Sequence, residues 1–160
     1  MKKFVLLLGV ILPSLLSLPI SAEPALTQSV QNAQAETTTL EEFKGRVVYV
    51  DFWASWCGPC RKSFPWMNAM HAKYANQGLA VVAINLDSDK ALADKFLSLL
   101  PAKFHLRFDP EGDAAAAFDL QGMPSSYIFN KQGELVQSHV GFFEEYADQY
   151  EQELVTLLKE

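Results

Sequence analysis

The sequence predicts an α/β domain with a central mixed β-sheet and helices on both faces, and three stretches carry that expectation. Val47-Val48-Tyr49-Val50-Asp51-Phe52-Trp53 is an almost unbroken run of β-branched and aromatic residues, the pattern of a central strand covered on both sides. Residues 79–85 repeat it, and the helical pattern between the two makes them a right-handed parallel βαβ unit. Nearer the C-terminus, residues 125–130 and 134–140 flank the turn Lys131-Gln132-Gly133 and read as an antiparallel hairpin.

The chain has 160 residues, 49% of them hydrophobic and 20% charged, enough apolar material for one core and one domain. A formal charge of −6 without any Lys/Arg cluster argues against nucleic acid as a partner, because affinity for phosphate needs concentrated positive charge.

Residues 1–22 read as a signal peptide. Met1-Lys2-Lys3 is a basic start, an uncharged apolar stretch follows to Leu18, and Ser21-Ala22 offers a small-residue cleavage site. The stretch is interrupted by Pro13 and falls short of the ~20 residues a spanning helix needs, so an uncleaved membrane tether is the second reading. The mature protein is expected in the periplasm or another extracytoplasmic compartment, where thiols tend to be oxidised.

Residues 23–39 are polar and lack any period, and are expected to form a flexible segment ahead of a domain spanning residues 40–160. Residues 40–45 turn into the first strand, 46–52, whose alternation sets Val47, Tyr49 and Asp51 on one face. Asp51 is thus a carboxyl inside an apolar strand. A helix is expected over residues 58–76, with Phe64, Met67, His71 and Tyr74 along one stripe, Pro65 inside it and Gly78 ending it. Residues 90–100 make the next helix, with Leu92, Phe96 and Leu99 or Leu100 inward and Pro101 as its stop. Residues 104–108 suit a short strand, and Asp113 is placed to cap a brief helix over 114–118. The last helix, 144–159, carries Tyr146, Tyr150, Leu154, Leu157 and Leu158 on the face that should cover the sheet.

The only two cysteines lie in Trp56-Cys57-Gly58-Pro59-Cys60, where the first strand hands over to a helix. A thiol at a helix N-terminus meets unpaired N–H groups and the positive end of the dipole, and both favour thiolate. Cys57 occupies that place; Cys60, about a turn further in, should be more buried. Cys57 is therefore the expected nucleophile and Cys60 the resolving thiol of a disulfide exchange. Gly58 permits close approach, and Pro59 presets the backbone for the helix. A purely structural disulfide closing so short a loop would restrain the unfolded chain little. Metal binding is the weakest reading, since a structural zinc site wants about four ligands and His71, His105 and His139 are scattered.

The run from Asp51 to Cys60 resembles the active-site segment of the thioredoxin-like family, and Pro65 matches the proline in that family's active-site helix. Gly122-Met123-Pro124-Ser125-Ser126-Tyr127 is similar to the segment that holds the family's cis-proline. The resemblance implies the thioredoxin fold over residues 40–160, a cis Met123–Pro124 bond beside the cysteines, and a proton-transfer role for Asp51. It also implies a partner-binding rim formed by Trp56, Gly58, Pro59, Met123 and Pro124. The long interval between Asn85 and Pro124, with room for an inserted helix and strand, is similar to the TlpA/ResA-like exported branch.

That branch implies a protein-disulfide reductase with no cofactor beyond its own Cys57–Cys60 pair. Its expected partners are disulfide-containing exported proteins, apocytochrome c among them, with a membrane thiol carrier as electron donor and a monomeric chain. A disulfide oxidase or isomerase on the same scaffold is the alternative.

Overall fold

The computed structural model describes residues 24–160, so the signal-peptide expectation lies outside the described residues. In chain order the elements are β1 (Ser29–Gln31), β2 (Thr37–Thr39), β3 (Val47–Trp53), α1 (Cys60–Tyr74), β4 (Leu79–Asn85), α2 (Lys90–Leu99), β5 (His105–Phe108), α3 (Asp113–Ala117), β6 (Ser125–Phe129), β7 (Leu135–Val140) and α4 (Ala147–Lys159). The strands form one sheet in the order β2-β1-β5-β4-β3-β6-β7. β3, β4 and β5 are parallel, and every other neighbouring pair is antiparallel.

β3 and β4 are buried at every position, which is why their sequences show no polar alternation. Val47, Tyr49, Trp53, Val81 and Ala83 face α1, α2 and α4, meeting Phe64, Met67, Phe96 and Leu154. Val48, Val50, Phe52, Val82 and Ile84 face the other way, toward α3 and the N-terminal segment, meeting Phe118, Leu26, Val30 and Phe43. The interval between β4 and Pro124 holds α2, β5 and α3, the inserted elements that its length implies.

Four local expectations need correcting. The segment 23–39 is not a free arm where it is described: β1 and β2 pair as a hairpin, Gln31 pairs with Phe108 of β5, and Leu26 and Val30 are buried. Backbone pairing with a sheet edge needs no hydrophobic period, so a run of Thr and Gln gives little warning of it. α1 begins at Cys60, with Pro59 as its cap residue, rather than at Gly58; Gly78 does end the segment, with φ of +100°. α2 buries Ala93 and Phe96 while Leu92 and Leu99 are exposed, because Phe96 docks between Trp53 and Phe64 and fixes the helix's rotation. Asp113 is the first residue of α3, and the side chain that meets this helix's free N–H groups is Asp109, accepting from Ala115 N at 2.9 Å.

Candidate active site

β3 ends at Trp53, whose ring packs on Phe64 of α1 at 4.9 Å and on Phe96 of α2 at 4.8 Å; those two rings are themselves 4.9 Å apart. This aromatic triangle fixes the strand end against α1 and α2. The chain then turns, Cys57 N donating to Ala54 O at 3.1 Å, and delivers Cys57 just ahead of α1. Cys57 and Cys60 form a disulfide with their Cα atoms 5.4 Å apart. Cys60 N–H also donates to Cys57 Sγ at 3.2 Å, an interaction that favours negative charge on that sulfur whenever the pair is reduced.

The two sulfurs differ in access. Cys57 is 4% exposed and lies in a surface groove between Trp56, Gly58 and Pro59 on one side and Gly122 and Met123 on the other. Cys60 is fully buried beneath it. The Met123–Pro124 bond is cis. Pro124 itself is buried, so Met123 and Gly122 make the wall, while Pro124 O accepts from Gly141 N at 2.7 Å. The groove continues past Pro59 along Lys62, Phe142 and Phe143. Gly141 adopts φ of +86°, and a Cβ there would stand 2.9 Å from the Phe143 ring, so only glycine lets this wall form.

Asp51 is 1% exposed, and its Oδ1 has no hydrogen-bond partner. Burial alone pushes its carboxyl well above the ordinary carboxylate range. The neighbouring Tyr49 phenol is also raised, by burial first and then by the nearby Asp51.

Sequence reasoning missed Asp87. Its two oxygens accept from Ser55 N, Ser55 Oγ and Asn85 Nδ2, each at 2.8 Å, tying the turn before Cys57 to the end of β4. A signal for it existed: an Asp two residues past a buried strand, parallel to the strand that carries the cysteines. Leu120, Gln121 and Phe143 also line the groove without having been singled out. The cations after Cys60 are engaged elsewhere, Arg61 over the Phe96 ring at 4.9 Å and Lys62 with Glu144 at 3.1 Å. Among the described residues no group of three or more His, Cys, Asp or Glu side chains is arranged to hold a metal ion.

The Redoxin family model matches residues 21–154. This chain belongs to the Redoxin family. A Redoxin-type fold of the thioredoxin-like kind is also what the solved structures show: a candidate thiol:disulfide interchange protein DsbE from Chlorobium tepidum superposes with a TM-score of 0.80 at 41% identity, over 87% of this chain and 98% of that one. Among curated relatives, the thiol-disulfide oxidoreductase ResA of Bacillus thuringiensis subsp. konkukian is 29% identical over 112 residues, 70% of this chain. The match spans 65% of that relative's length. ResA of Halalkalibacterium halodurans is 26% identical over 143 residues, 89% of this chain and 80% of the relative. This Redoxin chain is thus similar to the ResA and DsbE proteins, as the long interval between Asn85 and Pro124 implies.

Proposed function

We propose that the chain is a thiol-disulfide oxidoreductase of the cell envelope that reduces disulfides in partner proteins. The observation that carries this reading is the asymmetry of the pair: Cys57 lies in an apolar groove while Cys60 is sealed beneath it. In the reduced protein, the Cys57 thiolate attacks one sulfur of a partner disulfide, forming a mixed disulfide and releasing the partner's other sulfur as a thiolate that takes up a proton. Cys60 then gives its proton to the Asp51 carboxylate and attacks Cys57 Sγ. This closes the Cys57–Cys60 disulfide and releases the partner's second sulfur as a thiolate, which takes up a proton from water. Two electrons pass from the dithiol to the partner, and an external dithiol restores them. Trp56, Gly58, Pro59 and Met123 form the receiving surface, with the buried Pro124 behind it.

The names of the similar proteins, a thiol-disulfide oxidoreductase and a thiol:disulfide interchange protein, support disulfide-containing proteins as substrates, and the basic start and apolar stretch at the N-terminus support an exported setting for them. Apocytochrome c is one candidate, a membrane thiol carrier is the electron donor, and the chain acts as a monomer. No helix among the described residues is long and apolar enough to cross a membrane.

The test is capture of partners by Cys60→Ser in the native compartment. Disulfide-linked partners released by dithiothreitol are expected on Cys57. Recovery only through Cys60 in the Cys57→Ser protein would reverse the roles, and absence of both adducts and catalysed disulfide reduction would sink the enzyme reading. Direction is tested separately, by a redox titration: a potential near the about −120 mV of a strong oxidant would make the chain an oxidase.

A further inference from the structure

Resting on the reading of Asp51 as the proton partner of Cys60, a further question has a structural answer: how a proton reaches so buried a carboxyl. Each closing or opening of the disulfide moves one proton between Cys60 and Asp51. Each return to the starting state moves one between Asp51 and bulk water. The register of the sheet decides which side chains stand beside it. Asp51 of β3 is directly opposite Ser126 of β6, and Ser126 is directly opposite His139 of β7. Residues opposed in this way point to the same face, their Cβ atoms about 5 Å apart.

On the other side of Asp51 the same row runs through Ala83 of β4 and Leu106 of β5, neither of which can carry a proton. The polar half of the row leads outward. Asp51 and Ser126 are buried, whereas His139 is partly exposed, 17% at its side chain. His139 Nε2 lies 2.7 Å from Glu153 Oε2 on α4, and its ring packs on Tyr150 at 4.9 Å. The titratable groups facing the row are Tyr49 from β3 and Tyr150 and Glu153 from α4, with the Tyr49 phenol close to both Asp51 and the Ser126 hydroxyl.

We propose that Ser126 and His139, with Glu153 holding the imidazole, form a proton path that links Asp51 to water across β6 and β7. The Ser126 hydroxyl both donates and accepts. The imidazole can take a proton on one nitrogen and release it from the other, and Glu153 sets which nitrogen does which. The proton thus leaves by the face of the sheet next to α4, not by the groove, which the partner protein covers during exchange. Ser126 and His139 act through Asp51 and are positioning residues in this sense.

The experiment measures single-turnover reduction of the Cys57–Cys60 disulfide by dithiothreitol in the full chain across pH, using acid quench and alkylation. Wild type is compared with Asp51→Asn, Ser126→Ala, His139→Ala and His139→Gln. Loss of a proton-transfer partner costs up to 10²–10⁴-fold in general acid–base catalysis, and disturbing only the path is expected to cost less, roughly 3–10-fold. Ser126→Ala and both His139 variants should therefore slow the reaction near neutral pH, with free imidazole restoring His139→Ala but not Asp51→Asn. A merely structural His139 would give no such rescue.

If Asp51→Asn is slow while His139→Ala and His139→Gln keep the wild-type rate and pH profile, the path is overturned and the role of Asp51 stands. An Asp51→Asn rate equal to wild type removes both. If wild type reduces no model disulfide with dithiothreitol as donor, the oxidoreductase reading itself fails. Should His139→Ala unfold, His139→Gln decides, because it retains a side chain able to bond Glu153 but cannot transfer a proton.

Discussion

Two buried aspartates belong to the two central strands, Asp51 inside β3 and Asp87 just past the end of β4, and they differ in their hydrogen-bond partners. Asp51 in β3 is 1% exposed and Asp87, just past β4, is 5% exposed. Asp87 spends both oxygens on three hydrogen bonds at 2.8 Å, whereas Asp51 leaves Oδ1 without a partner. Equal burial therefore has opposite consequences. A carboxylate surrounded by donors is a fixed anchor, while one surrounded by apolar strand holds its proton more tightly and becomes the group that can exchange it. On the proposed mechanism, this contrast lets a rigid cysteine turn coexist with a movable proton.

Removing the anchor should have the largest effect. Asp87→Ala strands the Ser55 N–H and the Asn85 amide in a buried place and is expected to cost about 3–5 kcal/mol in denaturant unfolding, at roughly 1–3 kcal/mol for each orphaned group plus the lost charge-assisted bonds. A loss under 1 kcal/mol would show that the turn does not depend on it. Asp51→Asn should do the reverse, leaving the fold intact while slowing disulfide exchange at neutral pH by about 100-fold or more, read as catalysed reduction of a model disulfide. Unchanged rates across pH would remove Asp51 from the mechanism.

The same substitution sharpens the contrast through stability. With its carboxyl raised above the ordinary 3.8, native Asp51 keeps a proton that the unfolded chain has already released. Its contribution is therefore fully present below about pH 4 and is lost as pH rises toward the native value. Relative to Asp51→Asn, wild type should lose up to ~1.4 kcal/mol per pH unit in that window and then level off. A difference between the two proteins that is flat with pH would mean Asp51 ionises as an ordinary carboxylate. Smallest of all should be Lys62→Ala, which breaks a pair with Glu144 whose partners are 61% and 67% exposed. Such pairs contribute about 0–1 kcal/mol, so its unfolding midpoint should barely move, and its 3.1 Å geometry should not matter to the fold.

Much of the molecule was legible in the chain. The bounds of β4 agree with the expectation, and those of β3 are shifted by one residue at each end, because fully buried strands announce themselves by composition. The roles expected of Cys57 and Cys60 rest on their places before and inside a helix, and the structure adds their unequal access. Where the reading failed, the deciding contact was distant. The N-terminal hairpin exists because β5 offers an edge, α2 is turned by Phe96 finding Trp53 and Phe64, and Pro124 lies behind the groove wall rather than on it.

By itself, then, the sequence determined the strand cores, the cysteine pair at a strand-to-helix junction, and an acid inside β3. These depend on residue type and on neighbours a few positions away, and periodicity and composition report such things directly. Only the tertiary structure decided which buried acid is anchored and which is left alone. Donors for Asp87 come from residue 55, and the row beside Asp51 is assembled from residues 126 and 139. The state of a buried charge is set by whatever the fold brings within a few ångströms of it, and strand register, not sequence proximity, makes that choice here.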